Sequence, residues 1–220
     1  AGMIGYGYSG GKNINQTLDN SDLFGFSVSL DGNRLAVGAY GGDGATNNRG
    51  YSGEVYLYTF TDSAFSGGSL DAMIGYGYSG DKNVNQSALS TYDYFGWSVS
   101  LDGNRLAVGS GYGDGSGSDA NYNYGEVYLF TFTDSAFSGG ALAANIGVNY
   151  EGHSGKDIDQ SLRNGDYFGQ SLSLDGNRLA VGAPAGDGSG DSVNASGDVY
   201  LYTFTDSSFS GGELDAIIGH

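Results

Sequence analysis

The sequence predicts an all-β protein built as three tandem repeats, and three observations carry that expectation. The block FGFSVSLDGNRLAVGA, beginning at Phe24, returns as FGWSVSLDGNRLAVGS from Phe95 and as FGQSLSLDGNRLAVGA from Phe168. A second block, VYLYTFTDS, starts at Val55 and Val199, and appears as VYLFTFTDS from Val127, so the period is about 72 residues. Within the blocks apolar residues alternate with a period of two, and no segment of helical length carries a 3.6-residue apolar stripe.

Each period reads as four strands. The first, Phe24 to Leu30, sets Phe24, Phe26, Val28 and Leu30 against Gly25, Ser27 and Ser29, one bulky face and one small face. Asp31, Gly32 and Asn33 supply a tight turn, and Arg34 to Ala39 returns as the second strand of a hairpin. The third strand places Val55, Leu57 and Thr59 on one side and Tyr56, Tyr58 and Phe60 on the other. Neither side is polar, so both must be covered by other sheets. The same holds for Val127, Tyr128, Leu129 and Phe130, and for Val199, Tyr200, Leu201 and Tyr202. After the polar turn TDSAFSGG, a fourth strand around Ser69 to Tyr78 completes the meander.

Four-stranded antiparallel units stacked at a fixed period predict blades of β-propeller type; a β-solenoid or a β-sandwich array is the alternative, disfavoured by the DG hairpins and the length of the period. The repeats are expected at 1–72, 73–144 and 145–216, with 217–220 opening a fourth repeat or supplying a shared closing strand. Both ends are cut inside the same element, AGMIGYGYSG at one and LDAIIGH at the other. Three blades alone leave apolar faces and strand edges in water, so head-to-tail self-association into a ring or filament is expected.

Composition narrows the partners. The formal charge is −17, with only eight Lys and Arg, which argues against nucleic acid and anionic membranes. No apolar run approaches a membrane span. The chain has no Cys, so neither a disulfide framework nor a thiolate metal site exists. His153 and His220 stand alone at unrelated positions, no G-x-S-x-G elbow is present, and no catalytic function is expected.

The blocks resemble FG-GAP repeats, the blades of integrin α-chain-type propellers. Phe24-Gly25, Phe95-Gly96 and Phe168-Gly169 match the FG element; Gly182-Ala183-Pro184 matches GAP, with Gly38-Ala39-Tyr40 and Gly109-Ser110-Gly111 as partial matches. The resemblance implies an extracellular or cell-surface structural or adhesion protein, in the short variant found in bacterial surface proteins. The calcium loop of the integrin type is shortened here to Leu30-Asp31-Gly32-Asn33, with one carboxylate per blade, too few to cage a calcium ion. No cofactor is expected beyond a weak surface calcium.

Asp31, Asp102 and Asp175 read as turn-formers. Arg34, Arg105 and Arg178 read as clamps on neighbouring loops, with Asp22, Asp93 and Asp166 as partners. The GDG turns at Asp43, Asp114 and Asp187 are the candidate weak metal positions, since each opens a loop that varies between repeats. Those loops supply the candidate ligand or partner contacts: Asn47, Tyr51, Asp119, Tyr122, Tyr124, Asp191 and Asn194. A lectin-like glycan-binding module using them is the alternative function. Asn15, Asn85 and Asn194 head glycosylation sequons.

Overall fold

The computed structural model describes residues 2–80, 82–116, 122–150, 155–189 and 193–219. They form strands and turns with no α-helix, as the period-two patterning predicts. Two short strands come first, β1 (Ile4–Gly5) and β2 (Ile14–Asn15), paired in parallel. The first blade comprises β3 (Ser27–Asp31), β4 (Arg34–Ala39), β5 (Glu54–Thr59), β6 (Ser69–Gly75) and β7 (Val84–Asn85). The second comprises β8 (Phe95–Asp102), β9 (Arg105–Ser110), β10 (Glu126–Thr131), β11 (Ala141–Gly147) and β12 (Ile158–Asp159). The third comprises β13 (Ser171–Asp175), β14 (Arg178–Ala183), β15 (Asp198–Thr203) and β16 (Glu213–Ile218).

Four strands of every blade run as the expected antiparallel meander. The hairpin closes on the pair Asp31 and Arg34, and Gly32 takes φ 58°, the left-handed value that a type II′ turn needs at its first central position. The first strand differs from expectation in its start: β3 begins at Ser27, whereas β8 begins at Phe95. In the second blade Phe95 pairs with Ser110, and a bulge before Ser98 absorbs the positive φ of Gly96.

The short fifth strand was not expected. β7 and β12 come from the start of the following repeat and lie parallel to the end of the fourth strand, Ile74 beside Val84 and Ile146 beside Ile158. Only two residues pair, too few for a periodic signal. Side chains staple this return: Asn83 accepts from Met73 N and Asn85 from Gly77 N at 2.8 Å, and in the second blade the carboxylates of Asp157 and Asp159 accept from Asn145 N and Asn149 N at 2.7 Å. The same staples hold β1 to β2 through Asn13 and Asn15.

Blades pack face to face. The Val55, Leu57 and Ile74 side of the first blade is fully buried against Val99, Leu101, Leu106, Tyr128 and Phe130 of the second. The Val127, Leu129 and Ile146 side of the second meets Leu174, Leu179, Tyr200 and Tyr202 of the third in the same way. Backbones touch at the FG and GA elements. A Cβ added to Gly38 would lie 2.0 Å from Gly96 O, and one added to Gly109 would lie 1.9 Å from Gly169 O. The FG glycine of one blade therefore sits directly on the GA glycine of the blade before it, which is why neither position carries a side chain.

Burial of the third strand is as predicted in the first two blades, where Val55, Tyr56, Leu57, Tyr58, Val127, Tyr128, Leu129 and Phe130 are all 2% exposed or less. In the third, Tyr200 and Tyr202 are buried but Val199 is 38% exposed and Leu201 only half-buried. Among the described residues no sheet covers that side. The opposite end is open too: Val28 is 62% and Leu30 54% exposed, although the equivalent Val99 and Leu101 are buried. The Tyr56 and Tyr58 part of that end is covered by Ile4, Ile14 and Leu18 of the N-terminal segment.

Candidate functional site

The carboxylates at the hairpin ends act between blades. Asp31 pairs with Arg34 of its own turn and accepts from Gly103 N of the next blade at 2.9 Å; Asp102 accepts from Gly176 N at 2.9 Å. Arg34 donates to Asn104 at 3.3 Å and lies over the Phe137 ring, while Arg105 donates to Asn177 at 3.2 Å and lies over Phe209. Arg34 and Arg105 therefore do clamp neighbouring loops, whereas Arg178 pairs with Asp175 of its own turn, and the expected acids are wrong. Asp22, Asp93 and Asp166 lie one strand length away, before the FG element, and accept from Asp19 N, Ser90 N and Arg163 N instead.

Those three aspartates belong to a second set of groups at the other end of each blade. Asp93 is buried beside Glu126, and burial first, then the Glu126 charge, pushes its carboxyl up to about 8. Asp22 and Asp166 are pushed up by burial, and burial also raises Glu54 and Glu126. Glu54 accepts from Gly44 N at 3.0 Å and Tyr56 OH at 2.8 Å; Glu126 accepts from Gly115 N at 2.8 Å and Tyr150 OH at 2.5 Å. Each buried acid thus braces the GDG turn. In the third blade the acid is Asp198, one methylene shorter; it reaches Gly188 N at 3.3 Å, and its Oδ1 is buried without a hydrogen-bond partner. A cleft of about 450 Å³ opens beside Asp93, Asp114 and Glu126, and one of about 750 Å³ beside Asp166, Asp187 and Asp198.

The loop residues expected to bind ligands are spread rather than gathered. Asn47 is exposed and donates to Asp19 at 2.7 Å. Tyr51 stacks on Tyr92 at 5.6 Å, and Tyr122 stacks on Tyr124 at 5.4 Å. Asn194 is exposed at the far blade. Asp119 and Asp191, like His153 and His220, lie outside the described residues. Asp43 and Asp187 spend a carboxylate oxygen on their own loops, accepting from Tyr51 N and Ala195 N at 2.8 Å, while Asp114 lines the second-blade cleft. Among the described residues no three His, Cys, Asp or Glu side chains are grouped so as to hold a metal ion.

Sequence reasoning missed a chain of aromatic rings that crosses both blade boundaries. Phe26 meets Tyr40 at 4.5 Å and Trp97 at 5.0 Å; Trp97 meets Tyr112 at 5.5 Å; Tyr112 meets Tyr94 at 4.8 Å and Tyr167 at 4.9 Å. The rings follow the FG and GA elements or directly precede them. The signal available in the sequence was a contrast between repeats: aromatic residues stand where the other copies hold Gln170, Pro184, Gly41 or Leu23.

Blades of repeated antiparallel sheet, stacked through glycines and clamped turn to turn, define a tandem blade-repeat protein. A family model described as FG-GAP repeat matches residues 18–58, 78–130 and 162–202, more than half of the chain. The chain belongs to the FG-GAP repeat family, whose repeats are non-enzymatic, of adhesion type, and usual in extracellular or surface proteins. No match was found among curated proteins. No helix among the described residues is long and apolar enough to cross a membrane.

Proposed function

We propose that this chain is a non-catalytic, extracellular structural or adhesion protein whose copies stack head to tail, blade on blade. The observation that supports this reading is that the open side of the third blade, and the part of the first blade that the N-terminal segment leaves uncovered, carry the two sets of groups joined at an interface the chain already makes twice. Ser27 Oγ donates to Gly96 O at 2.8 Å, and Ser98 Oγ donates to Gly169 O at 2.6 Å. Leu101 N donates to Ser29 Oγ at 2.9 Å, and Leu174 N to Ser100 Oγ at 2.9 Å. The third blade carries the same outward set, Ser171, Ser173, Asp175 and Arg178, all exposed, and the first blade carries the complementary set at Gly25, Leu30, Gly32 and Asn33.

Such a contact is heterologous, so its rotation decides between ring and filament. Light scattering at micromolar concentration should show mass rising with concentration. Val28→Lys blocks one face and Val199→Lys the other, and each variant alone should be monomeric. Mixed together they retain one good face each and should form dimers and nothing larger. A dispersed wild-type monomer at those concentrations would overturn the reading.

A further inference from the structure

We propose that the aromatic ladder formed by Phe26, Tyr40, Trp97, Tyr94, Tyr112 and Tyr167 is a binding surface for a neutral polysaccharide. The ladder spans all three blades without a break, its rings 4.5–5.5 Å apart along the path from Tyr40 through Phe26, Trp97 and Tyr112 to Tyr167. Phe26 is 50% exposed and the other five are half-buried, so all six side chains keep some solvent-accessible surface.

The blades do not need these rings. At the position of Phe26 and Trp97 the third blade has Gln170; at that of Tyr40 the others have Gly111 and Pro184; at that of Tyr112 they have Gly41 and Ala185. All three blades nevertheless form the same hairpin and meander. Tyr94 and Tyr167 hold φ 57° and 55°, and Leu23 holds the same conformation at φ 56°, so the repeat sets the backbone there whichever side chain it carries. The fold therefore does not require an aromatic ring at that position either.

The chemistry of the surface selects the ligand. The charge of −17 repels polyanions, and the arginine–ring contacts of the described residues fall on Phe137, Tyr76 and Phe209, none of them in the ladder. Four of the six rings carry a phenol hydroxyl and one an indole N–H, and rings neighbouring along the path stand at 40–83° to one another, so the ladder offers apolar ring surface at several angles bordered by hydrogen-bonding groups. A pyranose chain has the matching make-up, C–H faces edged by hydroxyls. Mutual ring contacts fix the rings before binding, which lowers the ordering cost. This surface lies on different residues from the stacking faces' serines, aspartates and arginines, and the inference does not depend on stacking.

Trp97 is the single tryptophan of the chain and sits inside the ladder, so its emission reports the site directly. Wild-type protein is titrated with cellohexaose, maltohexaose, laminarihexaose, xylohexaose and mannohexaose, with an oligogalacturonate of equal length as the anionic control. At least one neutral hexaose should shift the emission saturably, and the anionic control should not. Trp97→Gln, Tyr94→Leu and Tyr112→Ala install residues that other blades already carry at those positions. Calorimetry should show affinity falling on the order of tenfold or more in each, with melting temperature and light scattering unchanged. No shift with any neutral hexaose overturns the proposal, as does wild-type affinity in the folded variants. Loss of self-association with glycan binding intact also overturns it, because the ladder is then a contact between copies. Should a variant unfold, the wild-type Trp97 titration still decides.

Discussion

Val99 and Leu101 in the second blade and Val28 and Leu30 in the first occupy the same places in the same hairpin, yet the former are at most 8% exposed and the latter at least 54%. Arg105 and Arg178 differ likewise, with side chains 10% and 73% exposed. Burial here is a property of having a neighbour. The repeat encodes both halves of an interface in every copy, and the central blade, covered on both sides, shows what the outer two would become.

Breaking the covered interface and its open counterpart in parallel should separate the two regimes. The largest effect is expected for Gly109→Ala, whose Cβ would lie 1.9 Å from the Gly169 backbone oxygen; the blades cannot close over it, and the melting transition should be lost or split. Gly182→Ala faces only the rotatable Ser171 hydroxyl, at 2.2 Å, and should melt close to wild type while losing assembly in light scattering.

Next comes Leu129→Ala, which empties a fully buried site and should cost about 2–5 kcal/mol by denaturant titration. Leu201→Ala, at the half-buried equivalent, should cost under about 1 kcal/mol. Equal losses would mean that the third blade is covered in solution, which the concentration dependence of the Leu201→Ala effect would reveal.

Arg105→Ala removes an Asp102 pair at 2.5 Å, the bond to Asn177 and the contact over Phe209, and should cost on the order of 1–3 kcal/mol. Arg178→Ala should change stability within about 0.5 kcal/mol, since its pair is solvent-exposed.

A pH dependence should accompany these differences. Asp93 titrates near 8 in the folded chain and near the ordinary aspartate value when unfolded, so above about 4 the unfolded state gives up a proton that the folded state keeps. Its contribution is full below the unfolded value and is lost progressively as pH rises to about 8. The melting temperature should therefore decline from pH 5 to pH 8, and Asp93→Asn should flatten that decline. Smallest of all, chelator should leave the melting temperature unmoved, because one carboxylate per hairpin cannot cage calcium.

The hairpin, the doubly apolar third strand and the stacking of blades were legible because glycine turns and period-two alternation are local signals. The arginine clamp was half legible. Its position at the turn was evident, but Asp22 lies at the other end of the strand, a separation that only strand geometry reveals. The fifth strand escaped because two paired residues leave no periodicity; its only trace is the spacing of Asn13 and Asn15, which recurs as Asn83 and Asn85. The aromatic ladder escaped for a different reason. Its members sit far apart in the chain, and only the face-to-face packing of blades brings Phe26 to Trp97.

Among the described residues, the hydrogen bonds that join one blade hairpin to the next link positions 69 to 74 residues apart, one repeat in each case. A chain that gains or loses a whole repeat therefore keeps the hairpin bonds of every remaining junction. Lengthening needs no new contact to evolve, because each added unit arrives with both the donor and the receiving surface already written. Whole repeats are thus interchangeable units of these junctions, while a shift of even one residue within a repeat disrupts the register on both of its faces.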